Sequence, residues 1–336
     1  MKRGPASVAA EDKPPLTQKS GKAKKATRLL GRLTANILLM ASSSGATLLL
    51  IEMTARVLGL TVPFFLHPAP ANCMQRSRLL SLEFRPSCVG VLANTPLRTN
   101  SLGLRGPEVR DDDSRRILAL GDSCTWGWRV EEQQSYPAVL QQLLDERYGT
   151  GSYQVINAGF PGNTSYQGLR YLRERGLALR PWLVIADYGF NDITRSGDVA
   201  ALIAQQARYM PVLELDDYLL DNSRTYKWLR WHIAGGQTPK LRAHRVDPER
   251  YAIYMTSIVE LAAEQGAKTI FLDFLQRGDP YKKAMADIAA AKGMPLITYQ
   301  GPRLDLVHPT AEGYRALALE IVDNLARASS DHADGL

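Results

Sequence analysis

Residues 116–125 read Arg116-Ile117-Leu118-Ala119-Leu120-Gly121-Asp122-Ser123-Cys124-Thr125. A short run of aliphatic residues ending on glycine is the pattern of a buried strand that stops at a sharp turn. Downstream, short apolar runs at 153–157, 182–188, 269–274 and 295–298 alternate with longer amphipathic stretches at 136–148, 165–175, 248–265, 281–292 and 311–328. That alternation predicts an α/β fold on a parallel sheet. Ser135 before Tyr136-Pro137, and Asp247 before Pro248, suit helix starts: the polar side chain can cap, and proline loses no needed N–H there.

Upstream of this body the composition changes twice. Residues 1–32 carry nine Lys/Arg against only Glu11 and Asp12 and show no apolar periodicity, so they read as a disordered basic tail. Leu33 to Ile51 then runs for 19 uncharged residues, close to the ~20 that a helix needs to cross a bilayer. The stretch exceeds a signal-peptide core and no small-residue cleavage site follows it, which favours a retained transmembrane helix. Positive charge before the span places the N-terminus in the cytoplasm and the body outside. Residues 52–94, with Pro63, Pro68 and Pro70, read as a linker, and residues 95–330 as the folded body. Residues 193–246 form an insertion whose Trp228, Trp231, Tyr218 and Tyr226 could either pack it down or offer substrate platforms.

Outside the tail, 32 basic residues balance 32 acidic ones, which argues against a nucleic-acid-binding body. Cys73, Cys88 and Cys124 are too few for a disulfide scaffold and lack zinc-site spacing, so neither metal nor cofactor is implied. Cys73 and Cys88 would bridge in an oxidising compartment, and two free thiols fit the sequence equally well.

Several clusters fall where an open α/β sheet places its ligands, at the C-terminal ends of strands. Ser123 follows the first strand, on a turn whose N–H groups could hold an oxyanion; in isolation Gly-Asp-Ser is also an ordinary capped turn. Asp305-Leu306-Val307-His308-Pro309 lies before the last helix. Its spacing can set the carboxylate on one imidazole nitrogen and leave the other free, although a capping Asp beside a surface His would look the same. Gly162 in Ala158–Thr164 and Asn191 in Gly189–Asp192 follow two further strands and could supply N–H donors. Cys124 carries no assigned chemistry.

Together these four blocks resemble the SGNH, or GDSL-type, esterase and lipase family over roughly residues 95–328, and Arg98 to Gly106 with the apolar span resembles its membrane-anchored bacterial branch. The resemblance implies a flavodoxin-like three-layer α/β/α sandwich with a five-stranded parallel sheet. It implies Ser123 as nucleophile, His308 as general base and Asp305 as the residue orienting it. Ser123, Gly162 and Asn191 would form the oxyanion hole. Two departures stand out: Cys124 in place of a larger apolar residue, and a short segment before Asp305 that leaves less chain for a pocket wall.

The expected protein is therefore a membrane-anchored serine esterase acting on acyl esters, O-acetyl first, of a cell-envelope glycan or lipid. An O-acyltransferase with the same triad and a non-catalytic glycan-binding protein are the alternatives. The sequence does not define an oligomeric state.

Overall fold

The computed structural model describes residues 17–59, 73–234, 244–276 and 280–330. They group into two units, one of residues up to 62 with 222–233, the other of residues 63–221 and 234–336.

In the first unit, α1 runs from Thr17–Val57. The helix is long and apolar enough to cross a membrane over Thr27–Val57, and none of that window is buried. Residues 17–32, expected as disordered tail, are thus helical. Lys, Ala, Arg and Leu propagate a helix at little cost once the apolar run has nucleated it. The tail's residues 1–16 lie outside the described residues. Near the end of α1 the Glu52 carboxylate accepts from Arg56 Nε, the Ser223 hydroxyl and the N–H groups of Arg224 and Thr225. The last three belong to the start of helix Arg224–Ala234, so Glu52 caps it.

The second unit begins earlier than expected. Two antiparallel hairpins, β1 (Met74–Ser77) with β2 (Ser81–Phe84) and β3 (Val89–Leu92) with β4 (Thr95–Arg98), occupy residues 74–98, overlapping the second half of the stretch read as a linker, whose first residues continue α1. Residues 60–72, with its three prolines, lie outside the described residues. Four-residue strands are too short for alternation to show in sequence. The hairpins are held by a Cys73–Cys88 disulfide and by a cluster of Cys73, Phe84 and Leu97 against Trp126 and Phe160.

Next come β5 (Arg115–Gly121), α2 (Ser123–Trp126), α3 (Tyr136–Tyr148), β6 (Tyr153–Gly159), α4 (Ser165–Tyr171), β7 (Pro181–Asp187) and α5 (Phe190–Ile193). The insertion supplies α6 (Val199–Arg208), α7 (Met210–Asn222) and α8, the Arg224–Ala234 helix; its residues 235–243 are outside the described residues. Trp228 rests on the His232 ring, centroids 4.0 Å apart, and is 38% exposed. Then follow α9 (Pro248–Glu264), β8 (Lys268–Asp273), α10 (Pro280–Lys292), β9 (Leu296–Thr298) and α11 (Ala311–Ser330).

The sheet has five parallel strands in the order β6-β5-β7-β8-β9. Side chains alternate across β5: Leu118 and Leu120 face one apolar cluster, Ile117 and Ala119 the other. The first cluster is closed by α4, α9 and α10, the second by α3 and α11, giving three layers. Burial on both faces explains why the strands read as continuous apolar runs. On the first face a Cβ added at Gly168 of α4 would overlap the ring of Tyr188, just past β7.

Candidate active site

Gly121 ends β5 at the C-terminal edge of the sheet, and the chain turns at once into α2. Asp122 caps that turn, its carboxylate accepting from the Cys124 N–H at 2.8 Å. Ser123, at the first position of α2, is only 8% exposed. Behind it, Arg105 of the Arg98–Gly106 motif donates to the carbonyl oxygens of Trp126, Gly127 and Val130, and its guanidinium lies 4.1 Å from the Trp126 ring centroid. A buried guanidinium satisfying three carbonyls fixes the segment that follows the serine.

Before α11, Asp305 accepts from the backbone N–H groups of Val307 and His308, both at 3.0 Å. Its oxygens also lie 2.9 and 2.8 Å from His308 Nδ1. Partial burial would raise this carboxyl, but the two N–H groups and the imidazole outweigh it and hold it at about 2. An ionised partner places the imidazole proton on Nδ1 and turns the Nε2 lone pair outward. His308 Nε2 is 2.8 Å from Ser123 Oγ, a contact spanning 185 residues. Arg303, donating to the carbonyls of Tyr299 and Val307, and Gln276, donating to that of Leu306, brace the loop.

Asn191 of α5 donates from Nδ2 to Asp122 Oδ2 at 2.8 Å, so its amide is tied to the turn that carries Ser123. Gly162, at φ +86, sits in the turn after β6, where a side chain would be strained. Its carbonyl oxygen accepts from Arg245 Nη1 at 2.6 Å. Asp192 joins the β6 and β7 turns by accepting from Ser165 Oγ, the Ser165 N–H and the Gly189 N–H. The structure thus brings Ser123, Asp305 and His308 into direct contact, links Asn191 to them through Asp122, and sets Gly162 on a neighbouring turn.

Sequence reasoning missed three contributors: Asp122 as the anchor of Asn191, Arg245 on Gly162, and Trp128, whose ring lies stacked at 5.8 Å from that of His308. Asp122 was visible inside Gly-Asp-Ser; the other two meet the site only through folding.

Asp122, Cys124 and Asp187 bring three potential metal-ligand atoms within 4.8 Å. Burial pushes all three groups up, and the charge of Asp122 adds to the shift at Asp187 and Cys124. Asp122 is occupied by Cys124 N–H and Asn191, and Asp187 by the Thr125 hydroxyl.

An open parallel sheet carrying serine, imidazole and carboxylate in line at its C-terminal edge defines a serine-hydrolase type of site. The comparison with known families makes this specific. Residues 119–316 match the GDSL-like lipase/acylhydrolase family, and the chain belongs to it. Over 102 residues it is 34% identical to the esterase TesA of Pseudomonas aeruginosa, covering 28% of this chain. The chain spans about half the length of that curated relative, 49%. Among solved structures, one of TesA aligns at 19% identity with a TM-score of 0.43, covering 63% of this chain and 98% of the other. The esterase EstA from Pseudoalteromonas sp. aligns at 16% identity and a TM-score of 0.43, covering 65% of this chain and all of its own.

Proposed function

We propose that this protein is a membrane-anchored serine esterase that hydrolyses acyl esters, O-acetyl foremost, on a cell-envelope glycan or lipid. The observation that carries the reading is the continuous contact from Asp305 through His308 to Ser123 Oγ. In this scheme His308 Nε2 takes the hydroxyl proton as Oγ attacks the acyl carbonyl carbon. The imidazolium so formed is stabilised by Asp305. The N–H groups of Ser123 and Gly162 and the Asn191 amide receive the charge on the tetrahedral oxygen. His308 then protonates the leaving alcohol, and water, activated by the same imidazole, releases the acid and restores the serine.

The domain plan that fits has residues 1–32 on the cytoplasmic side, α1 crossing the bilayer, and the body from residue 73 outside. The basic flank of the span favours that orientation. So does the Cys73–Cys88 bridge, since such bridges persist in oxidising compartments.

Labelling the full chain with a fluorophosphonate, beside Ser123→Ala, tests the reading. We expect an adduct on the wild type alone; equal labelling of both proteins, or none on a folded wild type, would overturn it.

A further inference from the structure

Beside the Gly162 turn lies a cavity of about 220 Å³, many times the room one water needs. Three parts of the fold build it: β2, the turn after β6, and α6 with the returning end of the insertion. Leu82, Phe160, Val199 and Leu202 give it apolar walls. Four polar residues also line it, Ser81, Asn163, Gln167 and Arg245.

Asn163 is only 4% exposed, and among the described residues only its backbone N–H is seen to hydrogen-bond, to the Phe160 carbonyl. With no partner inside the described protein, this carboxamide is a candidate for a ligand's hydroxyl group. It can donate and accept at once. Arg245 spends one N–H on the Gly162 carbonyl and reaches Gln167 Oε1 only at 3.5 Å, leaving further donors over. Its charge is met at longer range by Asp192 and Asp122. An added anion would face those carboxyls, and an alkyl chain would offer no hydrogen bond to the Asn163 carboxamide or to the spare N–H groups of Arg245. A ring bearing hydroxyls satisfies the donors and acceptors and lies against the apolar walls.

We propose that this cavity is a subsite for a sugar ring of the substrate, so that the ester cleaved at Ser123 is carried by a carbohydrate and not by a lipid. The proposal rests on the esterase reading above. The bond from Arg245 to Gly162 makes the subsite and the oxyanion turn one unit, so a seated ring is registered against the reacting carbonyl.

The test compares the full chain with Asn163→Ala and with Leu202→Trp, which fills the cavity from a position 45% exposed and tolerant of bulk. The substrates are p-nitrophenyl acetate, p-nitrophenyl octanoate and a panel of mono-O-acetylated pyranosides and oligosaccharides. We expect the ratio of kcat/KM on the best sugar acetate to that on p-nitrophenyl acetate to fall about tenfold or more in each variant, as for one lost buried hydrogen bond or a blocked ring. An unchanged ratio overturns the subsite. So does a wild type that cleaves aryl acetate but no sugar acetate, or variants that lose only the octanoate. A wild type inert on every ester would instead overturn the esterase reading itself.

Discussion

Asp122 Oδ2 accepts the Asn191 amide at 2.8 Å, across 69 residues of sequence. The residue next to the proposed nucleophile therefore aims a proposed oxyanion donor. Asn191→Ala should lower kcat by about 10²–10³ with little change in KM, since the donor acts on charge present only in the transition state. Asp122→Ala should give a smaller loss in the same parameter, because the amide remains but is no longer aimed. Steady-state kinetics on an aryl acetate separate the two.

Ser123→Ala and His308→Ala should each remove nearly all turnover. Asp305→Asn should retain a little more while still costing about 10⁴ in kcat, because an amide no longer enforces the Nδ1–H tautomer. Rates above background with intact thermal unfolding check this, and a mild Asp305→Asn phenotype would show that the two backbone N–H groups position His308 unaided.

The buried carboxyls predict a pH dependence of stability. Burial raises Asp192 from 3.8 to about 6, against the pull of its hydrogen bonds from Ser165 and Gly189. Between those values the folded chain keeps a proton that the unfolded chain has released. This contribution is full below the unfolded value and is lost as pH rises through the folded one, with a slope of about 1.4 kcal/mol per pH unit. Asp305 acts oppositely: its contribution is present above 3.8 and disappears as pH falls toward 2. Urea unfolding across this range should show a shallower decline for Asp192→Asn than for the wild type.

Arg105→Met should cost several kcal/mol, on the order of 3, because three carbonyl oxygens lose a charged donor behind the serine turn. Chemical unfolding of the variant gives the value directly.

Opening the Cys73–Cys88 bridge, which closes a separation of 15 residues, should destabilise the body by about 3 kcal/mol on the chain-entropy account. Paired Cys73→Ala and Cys88→Ala substitutions would measure it, and a loss well under 1 kcal/mol would mean that the Phe84, Leu97 and Trp126 cluster holds the hairpins alone.

Much of the fold was legible because its strands are buried on both faces. An unbroken run such as Ile117 to Leu120 has few other readings when a glycine turn follows. Ser123, Asp305 and His308 were legible as residue types at strand and helix ends, and Asn191 and Gly162 through the family resemblance. The hairpins between Met74 and Arg98 were not, since their strands are four residues long and their cohesion comes from Trp126 and Phe160 far along the chain. Nor was the helical state of residues 17–32, where charge suggested disorder while local propensity allowed a helix to extend backward from the apolar span. Arg245 and Trp128 were invisible for a different reason: nothing local marks a side chain whose partner is chosen by tertiary closure.

Gly168 and Tyr188 set a spacing with wider effect. One lies on the helix after the Gly162 turn, the other just before the Gly189–Asn191 turn, and they meet with no room for even a methyl group. Alanine at 168 would force the Tyr188 ring or the helix to shift, leaving every reacting group chemically intact. The distance between those two turns is thus gauged by an atom the sequence leaves out.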